Sequence, residues 1–117
     1  MKKTVTIGNR EVGDGCPPYL IAEAAISHQG NFETAQRMVH IAYAMGCDAI
    51  KFQLHVLDDE MLRTAPQSDN FDEPLWDTLE KTNFSIPQHK QLKKLCEQLG
   101  IHYLCTPFQP QPRIFWI

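Results

Sequence analysis

Two apolar runs in this chain end on a charge: Tyr19-Leu20-Ile21-Ala22 leads into Glu23, and Ala49-Ile50 leads into Lys51, with one helix-length segment between them. Short apolar runs separated by a helix are what buried parallel strands require, because the crossover helices cover the sheet. A strand that ends on a charge delivers it to the sheet rim, where α/β enzymes carry out their chemistry. The pattern therefore predicts a parallel α/β sheet with Glu23 and Lys51 side by side at one rim.

The rest of the chain extends that arrangement. Thr4-Val5-Thr6-Ile7, the turn Gly8-Asn9 and Arg10-Glu11-Val12 read as a short hairpin placed like a lid under a barrel. The first buried strand is expected over 19–24, followed by a loop over 25–31 that carries His28 and Gly30. Phe32, Ala35, Met38, Val39, Ala42 and Met45 then recur at helical spacing, with Asn31 as N-cap and Gly46 as the stop. A second strand is expected over 48–53. The segment 54–82 is polar and irregular, with a short helix around 75–81, and a connection of that length is functional or disordered. Ser85 caps a further helix with Pro87 in its first turn and Leu92, Leu95, Cys96 and Leu99 on its apolar face, ending at Gly100. A third strand covers 101–105 and ends in Thr106-Pro107.

Strand, helix, strand, helix, strand is the order of right-handed parallel crossovers. The expected fold class is α/β, the N-terminal fragment of a (β/α)8 TIM barrel of the aldolase type, preceded by a β-hairpin. The hairpin occupies 1–15, three βα units occupy 16–108, and 109–117 is an atypical, truncated tail rich in proline that ends on Ile114-Phe115-Trp116-Ile117. A complete barrel of this type needs roughly 250 residues, so the chain reads as the opening third of something larger.

Composition narrows the function. With 117 residues, 43% of them hydrophobic, the chain can build one small core. A net charge of −3 gives no general attraction to nucleic acid or anionic membrane, although phosphate can still be bound locally. Cys16, Cys47, Cys96 and Cys105 lack the paired spacing of zinc or redox sites and read as reduced thiols. Neither a signal peptide nor a membrane-length apolar run is visible, so a cytoplasmic location is expected. No phosphate loop, dinucleotide fingerprint or zinc-protease motif occurs.

Glu23 at a strand end can act as a general base or support a metal, or it can simply pair with Lys51; neighbouring strands allow both. Lys51 can hold phosphate or carboxylate as a point charge, or form a Schiff base if desolvated. Gln53 shares its face. Thr106 brings a hydroxyl to the same rim from the third strand. His28 sits before a helix start where backbone amides and an imidazole can hold an anion, although a lone histidine is more often structural. His55 is a weaker candidate, and His40, His89 and His102 read as packing or solvent residues. Phe71, Leu75 and Trp76 suit either an aromatic patch or ordinary helix packing.

Taken together, Pro18-Tyr19-Leu20-Ile21-Ala22-Glu23, Ser27-His28-Gln29-Gly30, Asp48-Ala49-Ile50-Lys51-Phe52-Gln53 and Thr106-Pro107-Phe108 resemble the N-terminal region of N-acetylneuraminate (sialic acid) synthases. The resemblance implies condensation of phosphoenolpyruvate with N-acetylmannosamine or a related amino sugar, in nonulosonic acid biosynthesis. It further implies a barrel followed by a small antifreeze-like domain, a homodimer, and a divalent metal, Mn2+ or Mg2+, whose ligands lie outside this chain. By that resemblance Glu23 and Lys51 are catalytic, Gln53 and Thr106 line the phosphoenolpyruvate end with Lys51, and Asn70 matches a sugar contact. Departures are Glu23-Ala24-Ala25 where the family has Glu-Ile-Gly, Ser27-His28-Gln29-Gly30 where it has Asn-His-Asn-Gly, and Gln109 after Thr-Pro-Phe. Two other readings stand beside it: a Schiff-base aldolase or lyase using Lys51, and a non-catalytic barrel fragment that associates through open sheet edges.

Overall fold

The computed structural model describes residues 1–108. Two strands, β1 (Thr4–Ile7) and β2 (Arg10–Gly13), form an antiparallel hairpin. Its turn depends on Gly8 at φ +58°, where an added Cβ would lie 2.5 Å from Nε2 of His102. Three strands, β3 (Ile21–Ala25), β4 (Ala49–His55) and β5 (His102–Phe108), pair in parallel in the order β3-β4-β5. Helix α1 (Phe32–Ala44) connects β3 to β4, and α2 (Leu57–Glu60), α3 (Leu75–Thr82) and α4 (Ile86–Leu99) lie between β4 and β5.

The helix ends follow from local chemistry. Asn31 keeps an extended backbone while its side chain accepts a hydrogen bond from the Thr34 N–H, satisfying a donor that α1 leaves free. Ser85 and Gln88 form a reciprocal capping box at the start of α4, with Pro87 in the first turn, where a missing N–H costs nothing. Gly100 at φ +86° ends α4 and lets the chain turn into β5.

Side chains alternate across each strand, so β4 sends Ile50, Phe52 and Leu54 to one face and Lys51, Gln53 and His55 to the other. Ile50 and Phe52, with Ala24 of β3, pack against Ala35, Val39 and Ala42 of α1 and Leu92 and Cys96 of α4. Phe52 is completely buried, and truncating such a residue to alanine costs about 3–5 kcal/mol. The core thus lies on one side of the sheet, between it and the two long helices.

The hairpin closes the end of the sheet where the strands begin. Oδ1 of Asn9 and Nε2 of His102 are 3.2 Å apart, Arg10 pairs with Asp48 at 2.9 Å, and the Tyr19 hydroxyl meets Nδ1 of His102 at 2.5 Å. Asp48 also accepts from the Leu20 N–H at 2.8 Å, tying the starts of β3 and β4 together.

Several boundaries differ from the sequence-based expectations. β3 starts at Ile21 and runs to Ala25, and Leu20 and Ile21 are 49% and 46% exposed. The expectation of a strand buried on both faces is not met among the described residues, where α1 and α4 cover one face of the sheet. β4 continues two residues beyond Gln53, to His55, and β5 runs through Thr106 and Pro107 to Phe108 rather than stopping at 105. Within β5, Pro107 stands opposite Leu54 of β4. The single turn α2 was not expected. The tail expected over 109–117 lies outside the described residues. Among the described residues, no helix is long and apolar enough to cross a membrane.

Candidate functional site

The face of the sheet opposite α1 and α4 carries Glu23 from β3, Lys51, Gln53 and His55 from β4, and Thr106 from β5. Backbone register sets them side by side: Glu23 opposes Lys51, and Gln53 opposes Thr106. Nζ of Lys51 lies 2.9 Å from Oε2 of Glu23, with the two side chains 35% and 45% exposed. The other carboxylate oxygen of Glu23 accepts from the Ala25 N–H at 3.1 Å.

That second contact exists because the β3–β4 ladder slips between Glu23 and Ala25, and Ala25 takes φ +46°. Bulges of this kind re-aim side chains beside active sites, and left-handed backbone at a non-glycine residue stores strain. The Glu23 carboxylate is therefore held from two directions, by a cation and by a backbone amide.

Deeper along β4, the side chain of His55 is nearly buried. Its Nδ1 faces both oxygens of Glu60, at 2.9 and 3.1 Å, and its Nε2 faces Oε1 of Gln53 at 3.1 Å. The ring stacks on Phe108 with centroids 4.6 Å apart. Asn83, just past α3, clamps the His55 backbone: its Oδ1 accepts from the His55 N–H at 3.1 Å and its Nδ2 donates to the His55 carbonyl at 2.7 Å.

Glu23, Lys51, Gln53 and Thr106 are thus brought together on one face, as the sequence suggested. His28 is not, and its reading as an anion ligand is corrected. The residue is 3% exposed, stacks on Phe84 at 4.1 Å, and its Nδ1 accepts from the Gly30 N–H at 3.0 Å. Burial lowers its pKa, which favours the uncharged ring. Phe84 reaches it from far along the chain, a contact that local pattern cannot reveal. Asn70 is exposed in the segment after α2, with its N–H on the Ser68 hydroxyl at 3.4 Å and no hydrogen bond to the Glu23–Lys51 pair. Trp76 is buried, with Arg63 stacked over it at 4.6 Å, so packing accounts for it. His55 was underrated, and Glu60 and Asn83 were missed. The signal for His55 was present, since Lys51, Gln53 and His55 alternate onto one face.

Other chemistries find little here. A Schiff-base lysine needs a neutral amine, whereas Lys51 is ion-paired with Glu23. All four cysteines are free, and burial pushes the Cys96 thiol up to about 12 and raises Cys105 as well, so neither supplies a ready thiolate. Among the described residues, no group of three or more His, Cys, Asp or Glu side chains is placed to hold a metal ion.

The model of the NeuB family matches residues 38–113. The chain belongs to the NeuB family. It is 30% identical over 116 residues to the N,N'-diacetyllegionaminic acid synthase of Legionella pneumophila, covering 94% of this chain and 33% of that protein. It is 30% identical over 102 residues to human N-acetylneuraminate-9-phosphate synthase, covering 83% of this chain and 28% of that enzyme. In three dimensions it resembles the N-acetylneuraminic acid (sialic acid) synthetase of Leptospira borgpetersenii, solved in complex with citrate, with a TM-score of 0.72 and 26% identity over 94% of this chain and 36% of that one. This NeuB-family chain therefore spans about a third of the length of the relatives it matches. Its mixed α/β fold, a parallel sheet with helices, is that of sialic acid synthase structures.

Proposed function

We propose that this chain carries the phosphoenolpyruvate end of a sialic-acid-type synthase, which joins phosphoenolpyruvate to N-acetylmannosamine or a related amino sugar. The observation that carries this reading is the Glu23–Lys51 pair on an open sheet face with Gln53 and Thr106 beside it, in a member of the NeuB family. The parallel strands β3, β4 and β5 would be the first three of the eight in a TIM barrel, with the open face turned to the barrel interior and the hairpin 1–15 beneath it.

The chemistry asks for groups of this kind. The enol carbon of phosphoenolpyruvate attacks the sugar aldehyde, a carbon–carbon bond forms, and the aldehyde oxygen gains negative charge and then a proton. Positive charge develops at the pyruvyl carbon; water adds there and phosphate leaves. Lys51 can neutralise the phosphate or carboxylate of the incoming anion as a point charge. The Thr106 hydroxyl and the Gln53 carboxamide can orient the anion, and a Glu23 carboxylate on the same face stabilises the developing positive charge and can take a proton from the attacking water. Anion binding would draw Lys51 away from Glu23, exposing the carboxylate at the moment it is needed.

By the resemblance, the ligands of the divalent metal, like the homodimer contacts of such enzymes, would come from elsewhere in a complete barrel. The chain alone is accordingly expected not to turn over phosphoenolpyruvate with an amino sugar. An NMR titration of the 117-residue chain with phosphoenolpyruvate tests the reading. Lys51, Gln53 and Thr106 should shift together, and K51A should weaken the response; silence at all three residues would overturn the proposal.

A further inference from the structure

Glu60, His55 and Gln53 form a continuous polar chain reaching the strand face that carries Lys51, with His55 buried and Glu60 partly so. The His55 and Glu60 side chains are 5% and 11% exposed. His55 has almost no freedom: Asn83 grips its backbone on both sides, Phe108 covers its ring, and Nδ1 faces both Glu60 oxygens. So fixed, its Nε2 presents a rigid partner to a flexible carboxamide.

A carboxylate offers only acceptors, so the Nδ1 that faces Glu60 is the nitrogen that donates. The Gln53 carboxamide offers an acceptor at one end and a donor at the other, and turning it over exchanges them. In this structure Oε1 of Gln53 faces Nε2 of His55 at 3.1 Å. That arrangement is satisfied when the ring carries a proton on both nitrogens, and it leaves the Gln53 NH2 turned away from the histidine. A ring protonated at Nδ1 alone would instead accept from the Gln53 NH2 and turn the oxygen outward. The proton on His55 and the outward end of Gln53 are therefore a single choice.

We propose that His55, held by Glu60, is a positioning residue that sets which end of the Gln53 carboxamide faces the open side of the sheet, an inference that rests on Gln53 being a ligand-binding residue. When the His55 ring carries a proton on both nitrogens and engages the oxygen, the NH2 is offered as a donor to an oxygen-bearing ligand, whether a carboxylate, a phosphate or a sugar oxygen. Glu60 touches no ligand in this scheme and acts through the histidine.

Nitrogen-15 NMR on the full chain tests the relay with E60Q, which keeps the shape of the side chain and removes its charge. In the unsubstituted chain, Nδ1 of His55 should carry a proton, and magnetisation should pass between the His55 ring and the Gln53 side chain. In E60Q, the Gln53 side-chain resonances should shift while those of the exposed Gln91 and Gln98 stay in place. Unmoved Gln53 signals in a folded E60Q would overturn the proposal. So would a bare Nδ1 or a missing His55–Gln53 connection in the unsubstituted chain, a measurement that stands even if the variant fails to fold. N-Acetylmannosamine and phosphoenolpyruvate titrations separate this from the proposed function: if neither ligand moves Gln53 while the Glu60 effect persists, the synthase reading fails and the relay stands.

Discussion

Glu23 and Lys51 are partners twice over, paired in backbone register across the β3–β4 ladder and joined through their side chains at 2.9 Å. Both are a third or more exposed, and ion pairs of that kind add about 0–1 kcal/mol to stability. A contact worth so little to the fold can be lost without unfolding it. E23Q and K51A are therefore expected to change the midpoint of urea unfolding only slightly. K51A should nevertheless weaken phosphoenolpyruvate binding by about tenfold or more, as loss of a direct charge contact does. A large drop in stability for either variant would instead mark the pair as a structural strut.

Asn83 presents the opposite case. Its carboxamide satisfies both the N–H and the carbonyl of His55, at 3.1 and 2.7 Å. His55 is buried, and a buried backbone group left without a partner costs about 1–3 kcal/mol. N83A should therefore destabilise the chain by about 2–3 kcal/mol in urea unfolding, and N83D by less, because the acceptor oxygen survives.

The legible part of this molecule is the part governed by local rules. Asn31, Ser85 with Gln88, and Gly100 mark helix ends through hydrogen bonds that span only a few residues, and the alternation from Lys51 to His55 places side chains on one face of β4. The register that sets Glu23 against Lys51 and Gln53 against Thr106 agrees with the expectation that strand ends share a rim. What escaped depends on residues distant in sequence. His28 looked available beside a helix start until Phe84, more than fifty positions on, covered its ring. His55 looked minor until Asn83 and Glu60 closed around it.

Gly30 shows how tightly the loop after β3 is fitted to the rest. It sits at φ +77°, and an added Cβ would approach the carbonyl oxygen of Lys81 to 2.3 Å, a backbone atom near the end of α3 that cannot move aside alone. G30A combines left-handed strain with that overlap, so a loss of about 2 kcal/mol or more is expected. The His28 ring, whose Nδ1 accepts from the Gly30 N–H, should report the displacement through its imidazole NMR signals.

His89 links the core to pH. It is completely buried, its Nδ1 meets the Tyr103 hydroxyl at 2.6 Å, and its Nε2 has no partner among the described residues. Desolvation, with a smaller contribution from His28, lowers its pKa to about 4, while the same group in an unfolded chain titrates near ~6.5. Between those values the unfolded chain binds a proton that the folded chain refuses, so stability rises with pH across the window. It is complete above about pH 6.5 and declines as pH falls toward 4, by at most about 3 kcal/mol from this residue. Burial lowers His28 too, so it acts in the same direction. Urea midpoints at pH 7, 6 and 5 should fall in that order. H89Q keeps a partner for the Tyr103 hydroxyl and removes the titrating group, so it should flatten the decline; an unchanged slope would place the acid sensitivity elsewhere.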